Sequence, residues 1–255
     1  MLICMLPGPR LKYLGRKYIY TAVMRINLRP YSSVLRFHNT RNRPKPNSVV
    51  VANHTTPIDY AVLCSDVAYS AIGQVHEGFF GVVERMLAKA IPTVWFDRSE
   101  VLDRTRTTEK LKQHVNTEGN PPLLVFPEGT CINNTSVMKF KKGAFEIDAV
   151  IYPLTIMYDP RFADCFWNSS VDSLLQYMIK LMTSWAMVVD VWYLPPQQRR
   201  ANEDGSSFAR RVRQMIAECG GLVDMEWDGD LKRKKPKDAF KESQQRLYTK
   251  YLKTQ

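Results

Sequence analysis

Along this chain, short unbroken apolar runs alternate with stretches whose apolar residues recur every three to four positions. Ser48-Val49-Val50-Val51-Ala52 and Leu123-Leu124-Val125-Phe126 are too short and too β-branched or aliphatic for helices and predict buried strands, as do 69–75, 93–96, 150–157 and 185–193. Helical spacing places Ile58, Val62 and Leu63 on one face. It also predicts helices over 79–90, stopped by Pro92, and over 103–115, ended by Gly119-Asn120-Pro121-Pro122. Ser206 reads as the cap of a helix carrying Phe208, Val212, Met215, Ile216 and Cys219 on one side and closed by Gly220. Strand and helix in alternation predict an α/β fold: a mostly parallel central sheet with flanking helices, its functional groups at strand ends, preceded by a basic N-terminal arm. The turn-rich Arg41 to Asn47 sets the expected boundaries: an arm over 1–46, a folded domain over 47–227, and a polar tail over 228–255 with a short final helix.

Charge distribution changes the picture of the arm. The formal net charge is +11, no Asp or Glu precedes Asp59, and ten Lys and Arg residues do, which leaves the rest of the chain near neutrality. Such an arm suits an anionic membrane surface, nucleic acid or plain solvent. Leu11, Leu14, Tyr18, Ala22 and Ile26 share a helical face with Lys17 opposite, and this imperfect interfacial pattern favours membrane contact over nucleic acid. No apolar run reaches the roughly 20 residues of a membrane-crossing helix. The five cysteines are odd in number and lack paired metal-ligand spacing, so they point to a reducing compartment and to no metal site.

Three polar groups close apolar strands. His54 with Asp59 follows the first run, Arg98 follows Val94-Trp95-Phe96, and Glu128-Gly129-Thr130 follows the run ending at Phe126. In one continuous helix His54 and Asp59 would point roughly 140° apart, whereas a strand-turn-helix lets them face each other. His54 can accept a proton, and Asp59 can fix its tautomer and steady the imidazolium. Lys139, Lys141 and Lys142 supply cations nearby. No Gly-x-Ser-x-Gly nucleophile is present, so direct attack by a substrate hydroxyl is favoured over an acyl-enzyme.

Four ordered blocks, Asn53 to Asp59, Trp95 to Arg98, Phe126 to Thr130 and Ile151 to Leu154, resemble those of the PlsC-like glycerolipid acyltransferases. Gly73 to His76, Cys131 to Met138, Thr183 to Ala186 and Asp190 to Tyr193 look like the glycerol-3-phosphate acyltransferase 3 and 4 subgroup of the endoplasmic reticulum. The resemblance implies acyl transfer from acyl-CoA, as co-substrate with no bound cofactor, to the sn-1 hydroxyl of glycerol 3-phosphate, giving lysophosphatidic acid. It implies His54 as general base oriented by Asp59. Arg98, Glu128, Gly129 and Thr130 would hold the phosphorylated acceptor, and the Lys139, Lys141 and Lys142 loop would hold phosphate of either substrate. Glu128 would repel phosphate, so it reads as accepting from an acceptor hydroxyl or as ordering its loop. The resemblance further implies an endoplasmic-reticulum membrane location with the site facing the cytosol. Members carry hydrophobic spanning segments before the first block, and here that anchor is expected to be missing. Two other readings compete: a lysophosphatidic acid acyltransferase using the same pair, and a non-catalytic lipid-binding relative.

Overall fold

The structure, a computed structural model, describes residues 5, 7–74, 93–96, 104–227, 242–243, 245–246 and 249. The expected helix over 79–90 and nearly all of the tail lie outside them. Two N-terminal helices, α1 (Gly8–Gly15) and α2 (Thr21–Leu28), are joined by a π-helical turn, Arg16–Tyr20. The sheet strands follow as β1 (Ser33–His38), β2 (Val49–Ala52), β3 (Ser70–Gln74), β4 (Val94–Phe96), β5 (Leu123–Val125), β7 (Ile151–Tyr158) and β8 (Met187–Tyr193). Their order across the sheet is β1-β8-β7-β2-β5-β3-β4, parallel throughout except for the β7–β8 pair. A small parallel pair, β6 (Ser136–Val137) with β9 (Val223–Asp224), stands apart.

β2 is central, and its alternation divides the core. Val50 and Ala52 pack with α2, with α3 (Asp59–Cys64) and with α5 (Leu174–Met182) on one side of the sheet. Val49 and Val51 pack on the other side with α4 (Arg104–Asn116) and α6 (Gly205–Gly220). All four β2 side chains are fully buried, which is why that strand reads as an unbroken apolar run rather than an alternating one.

Three expectations need correction. The sheet begins before the boundary expected at Asn47: Ser33–His38 is an edge strand paired with β8, and Tyr20, Met24, Leu28 and Tyr31 are core residues, so the arm is packed onto the domain. Strand pairing across more than 150 positions leaves no local mark in so basic a stretch. The last core strand starts at Met187, and Trp185 is 90% exposed. Helix α6 is capped by Asp204, which accepts from the Ser207 N–H at 2.8 Å, and its chain reversal falls at Gly221 with φ +61°.

Candidate active site

β2 ends at Ala52, the chain turns through His54, and Asp59 is the first residue of α3, the strand-turn-helix the local sequence predicts. His54 Nδ1 lies 2.9 Å from Asp59 Oδ2. That oxygen also accepts the Thr55 N–H at 2.7 Å and the Thr56 N–H at 3.0 Å, while Oδ1 accepts from the Tyr158 hydroxyl. A carboxylate with no exposed surface is tolerable because donors surround it. Facing an acceptor-only carboxylate, the imidazole donates from Nδ1, so in its neutral form the lone pair sits on Nε2. Nε2 faces the Cys131 Sγ at 3.5 Å, and the ring stacks on Phe126 at a centroid distance of 4.2 Å. Burial pulls the imidazole toward the neutral form, but the bond to Asp59, then the Cys131 thiol and the Asp59 charge, outweigh it and raise its proton affinity.

β5 runs parallel to β2 as its neighbour, so Glu128 arrives beside His54. Its Oε1 accepts the His54 backbone N–H at 2.8 Å and its Oε2 the Met138 N–H at 2.9 Å. Glu128 therefore ties the His54 turn to the chain at Met138. Burial pushes its carboxyl up to about 7 against those two bonds. The Ile132 N–H donates to the His54 carbonyl at 2.7 Å, so both backbone groups of His54 are held by the loop after β5. Gly129 has φ +70°, and a Cβ there would lie 3.1 Å from the Lys141 Nζ, which places that ammonium directly over the glycine. Thr130 is buried beside it in sequence. Lys142 instead pairs with Glu146 at 2.7 Å, and Lys139 is exposed with its backbone N–H on the Trp227 carbonyl at 2.9 Å. Arg98 lies outside the described residues. β4, the strand before it, is three strand positions from β2, roughly 14 Å at ordinary spacing.

Sequence reasoning missed three residues that hold this arrangement. Tyr158 comes from the end of β7, on the same side of the sheet as α3. Asn53 and Asn134 replace the strand that β7 lacks beyond Ala52. Asn53 bonds both the N–H and the carbonyl of Ile156 at 2.8 Å, and Asn134 bonds those of Tyr158 at 3.2 and 2.5 Å. Asn53 and Asn134 sit inside recognisable motifs, which was the available signal. Tyr158 carried none. Among the described residues no group of His, Cys, Asp or Glu side chains could hold a metal ion, and no helix is long and apolar enough to cross a membrane.

Residues 34–157 match the Acyltransferase family model. The chain is 52% identical to glycerol-3-phosphate acyltransferase 4 of Mus musculus over 247 residues, 97% of this chain and 54% of that protein. It is 50% identical to glycerol-3-phosphate acyltransferase 3 of Xenopus laevis over 251 residues, 98% of this chain and 56% of that one. The chain thus spans about half the length of the curated relatives it matches. Its fold is similar to the crystal structure of the 1-acyl-sn-glycerophosphate acyltransferase PlsC from Thermotoga maritima, with a TM-score of 0.58 at 18% identity over 86% of this chain and 85% of that one.

Proposed function

We propose that this chain is the catalytic part of a glycerol-3-phosphate O-acyltransferase, which moves a fatty acyl group from acyl-CoA to the sn-1 hydroxyl of glycerol 3-phosphate and yields lysophosphatidic acid. The observation that carries the reading is His54 held at Nδ1 by Asp59 at 2.9 Å, with its Nε2 lone pair turned to the other side. The names of the relatives point to this acceptor. His54 Nε2 takes the proton of the acceptor hydroxyl as that oxygen attacks the thioester carbonyl carbon. The C–S bond breaks, and the departing CoA sulfur takes the proton back from the imidazolium. Asp59 keeps the imidazole in the Nδ1–H tautomer and offsets its charge during the step. No protein nucleophile intervenes.

For the acceptor phosphate, Lys141 above Gly129 supplies a cation in the loop that follows β5, and Arg98 would add a planar fork. Glu128 and Thr130 shape the floor of that site, and Lys139 and Lys142 extend the basic surface toward phosphates of either substrate. The arm would rest the chain on a membrane surface, at the cytosolic side of the endoplasmic reticulum that the family resemblance implies. The test is an acceptor comparison. Purified protein with acyl-CoA should turn over with glycerol 3-phosphate and lose that turnover in His54→Ala without unfolding. Equal or greater turnover on lysophosphatidic acid would overturn the acceptor, and retained activity in His54→Ala would overturn the general base.

A further inference from the structure

Helix α5 is apolar on nearly every side. Only Gln176 and Lys180 interrupt Leu174–Met182, and the capping box of Ser173 with Gln176 fixes its start. Tyr177 and Leu181 face the core, but Leu175, Ile179 and Met182, at helical spacings of four and three, are 50 to 63% exposed. Trp185, one turn on, has almost its whole side chain in solvent. A helix bordering water alone would carry polar residues at those positions.

The N-terminal helices leave the same kind of surface on the same side of the sheet. Tyr20, Met24 and Leu28 pack inward with α3 and α5, while Tyr18, Val23 and Ile26 stay exposed. The expected stripe of Leu11, Leu14, Tyr18 and Ile26 thus points outward, and Tyr31 at its end donates to the Met178 sulfur of α5 at 3.2 Å. Among the described residues, the large apolar side chains that are strongly exposed fall within 11–34 and 162–185, apart from Met5, Val223 and Trp227. Among the described residues, α4 and α6 on the opposite side contribute none.

Charge selects the occupant. Residues 173–185 contain Lys180 and no Asp or Glu, with Asp164 and Asp172 before them, and the arm contains only basic charges. A shallow groove beside α2 is lined by Arg25, Arg29, Ser32, Leu35 and Phe37. A second copy of the chain would set these cations against each other, whereas anionic headgroups would meet them with acyl chains below.

We propose that Leu175, Ile179, Met182 and Trp185 of α5 and its flank form, with the outward stripe of α1 and α2, one surface that seats on an anionic lipid bilayer. The proposal rests on the membrane-surface reading of the arm and adds α5 to it. The experiment is co-sedimentation of the full chain with phosphatidylcholine vesicles containing about 30% phosphatidylserine. Two variants are compared with it: Leu175→Ser with Ile179→Ser, Met182→Ser and Trp185→Ser, and Leu14→Ser with Tyr18→Ser and Ile26→Ser. Each should lower partitioning on the order of tenfold, with unchanged melting and unchanged short-chain acyl transfer. Wild-type binding in the α5 variant, with loss in the arm variant, would overturn the role of α5 and leave the arm reading standing. No vesicle binding by the unaltered chain would overturn both. Self-association abolished by the α5 substitutions, with vesicle binding intact, would make a second copy the occupant and overturn the proposal.

Discussion

The hydroxyl of Tyr158 donates to the carboxylate oxygen of Asp59 that His54 does not use. Burial, followed by the Asp59 charge, pushes the phenol well above its ordinary range, so it remains a donor. Tyr158→Phe removes that donor without changing shape and leaves Oδ1 buried with nothing bound, at a cost of about 1–3 kcal/mol. A less constrained Asp59 should lower kcat by roughly tenfold with little change in KM. Steady-state kinetics beside thermal unfolding check this, and an unchanged kcat would leave Tyr158 a stability residue only.

The net rise in His54 proton affinity fixes the direction of the pH profile. As a base the imidazole must be neutral, so acyl transfer should rise with pH through a midpoint above the ordinary histidine value of 6.5. Any stability from the charged imidazole beside Asp59 is present below the unfolded-state value and is lost as pH rises through the folded one. Asp59→Asn removes the main raising cause, so the limb should move to lower pH while the rate falls by roughly 10²–10⁴. A limb that stays in place in Asp59→Asn would show that another group controls it.

Asn53 takes the place of a strand neighbour for Ile156, with both partners buried. Asn53→Ala leaves a backbone N–H and a carbonyl unsatisfied, at a cost of about 2–4 kcal/mol. A melting temperature lowered by roughly 5–15 °C is expected, and a shift within error would mean that water replaces the amide.

Gly129 carries two constraints at once, a left-handed backbone and the Lys141 ammonium overhead. Gly129→Ala costs about 1–2 kcal/mol of backbone strain and displaces Lys141, whose flexible end can move. The KM for glycerol 3-phosphate should therefore rise several-fold. In a Lys141→Ala background the same substitution should raise it much less, and additive effects in that double-mutant cycle would separate the two residues.

Local sequence carried a good deal of this. The runs at Val49 to Ala52, Leu123 to Val125 and Ile151 to Met157 declare themselves because both faces of a central strand are buried. The α6 stripe shows because one helical face is. His54 and Asp59 were legible because only four residues of turn separate them. β1 and α5 were not. The partner of β1 lies more than 150 residues later, and α5 is only nine residues long, with Leu175, Ile179 and Met182 apolar toward solvent as well as Tyr177 and Leu181 toward the core.

By itself, then, the sequence determined the alternation of strand and helix, the paired imidazole and carboxylate, and the acid-free arm, because each is written within a few residues. Only the tertiary structure decided that the arm packs onto the sheet, that Glu128 holds the backbone of His54 while Tyr158 holds Asp59, and that exposed apolar residues gather on one side. Those relationships depend on which strands lie side by side, and strand order is set by burial summed over the whole chain, not by any single stretch of it.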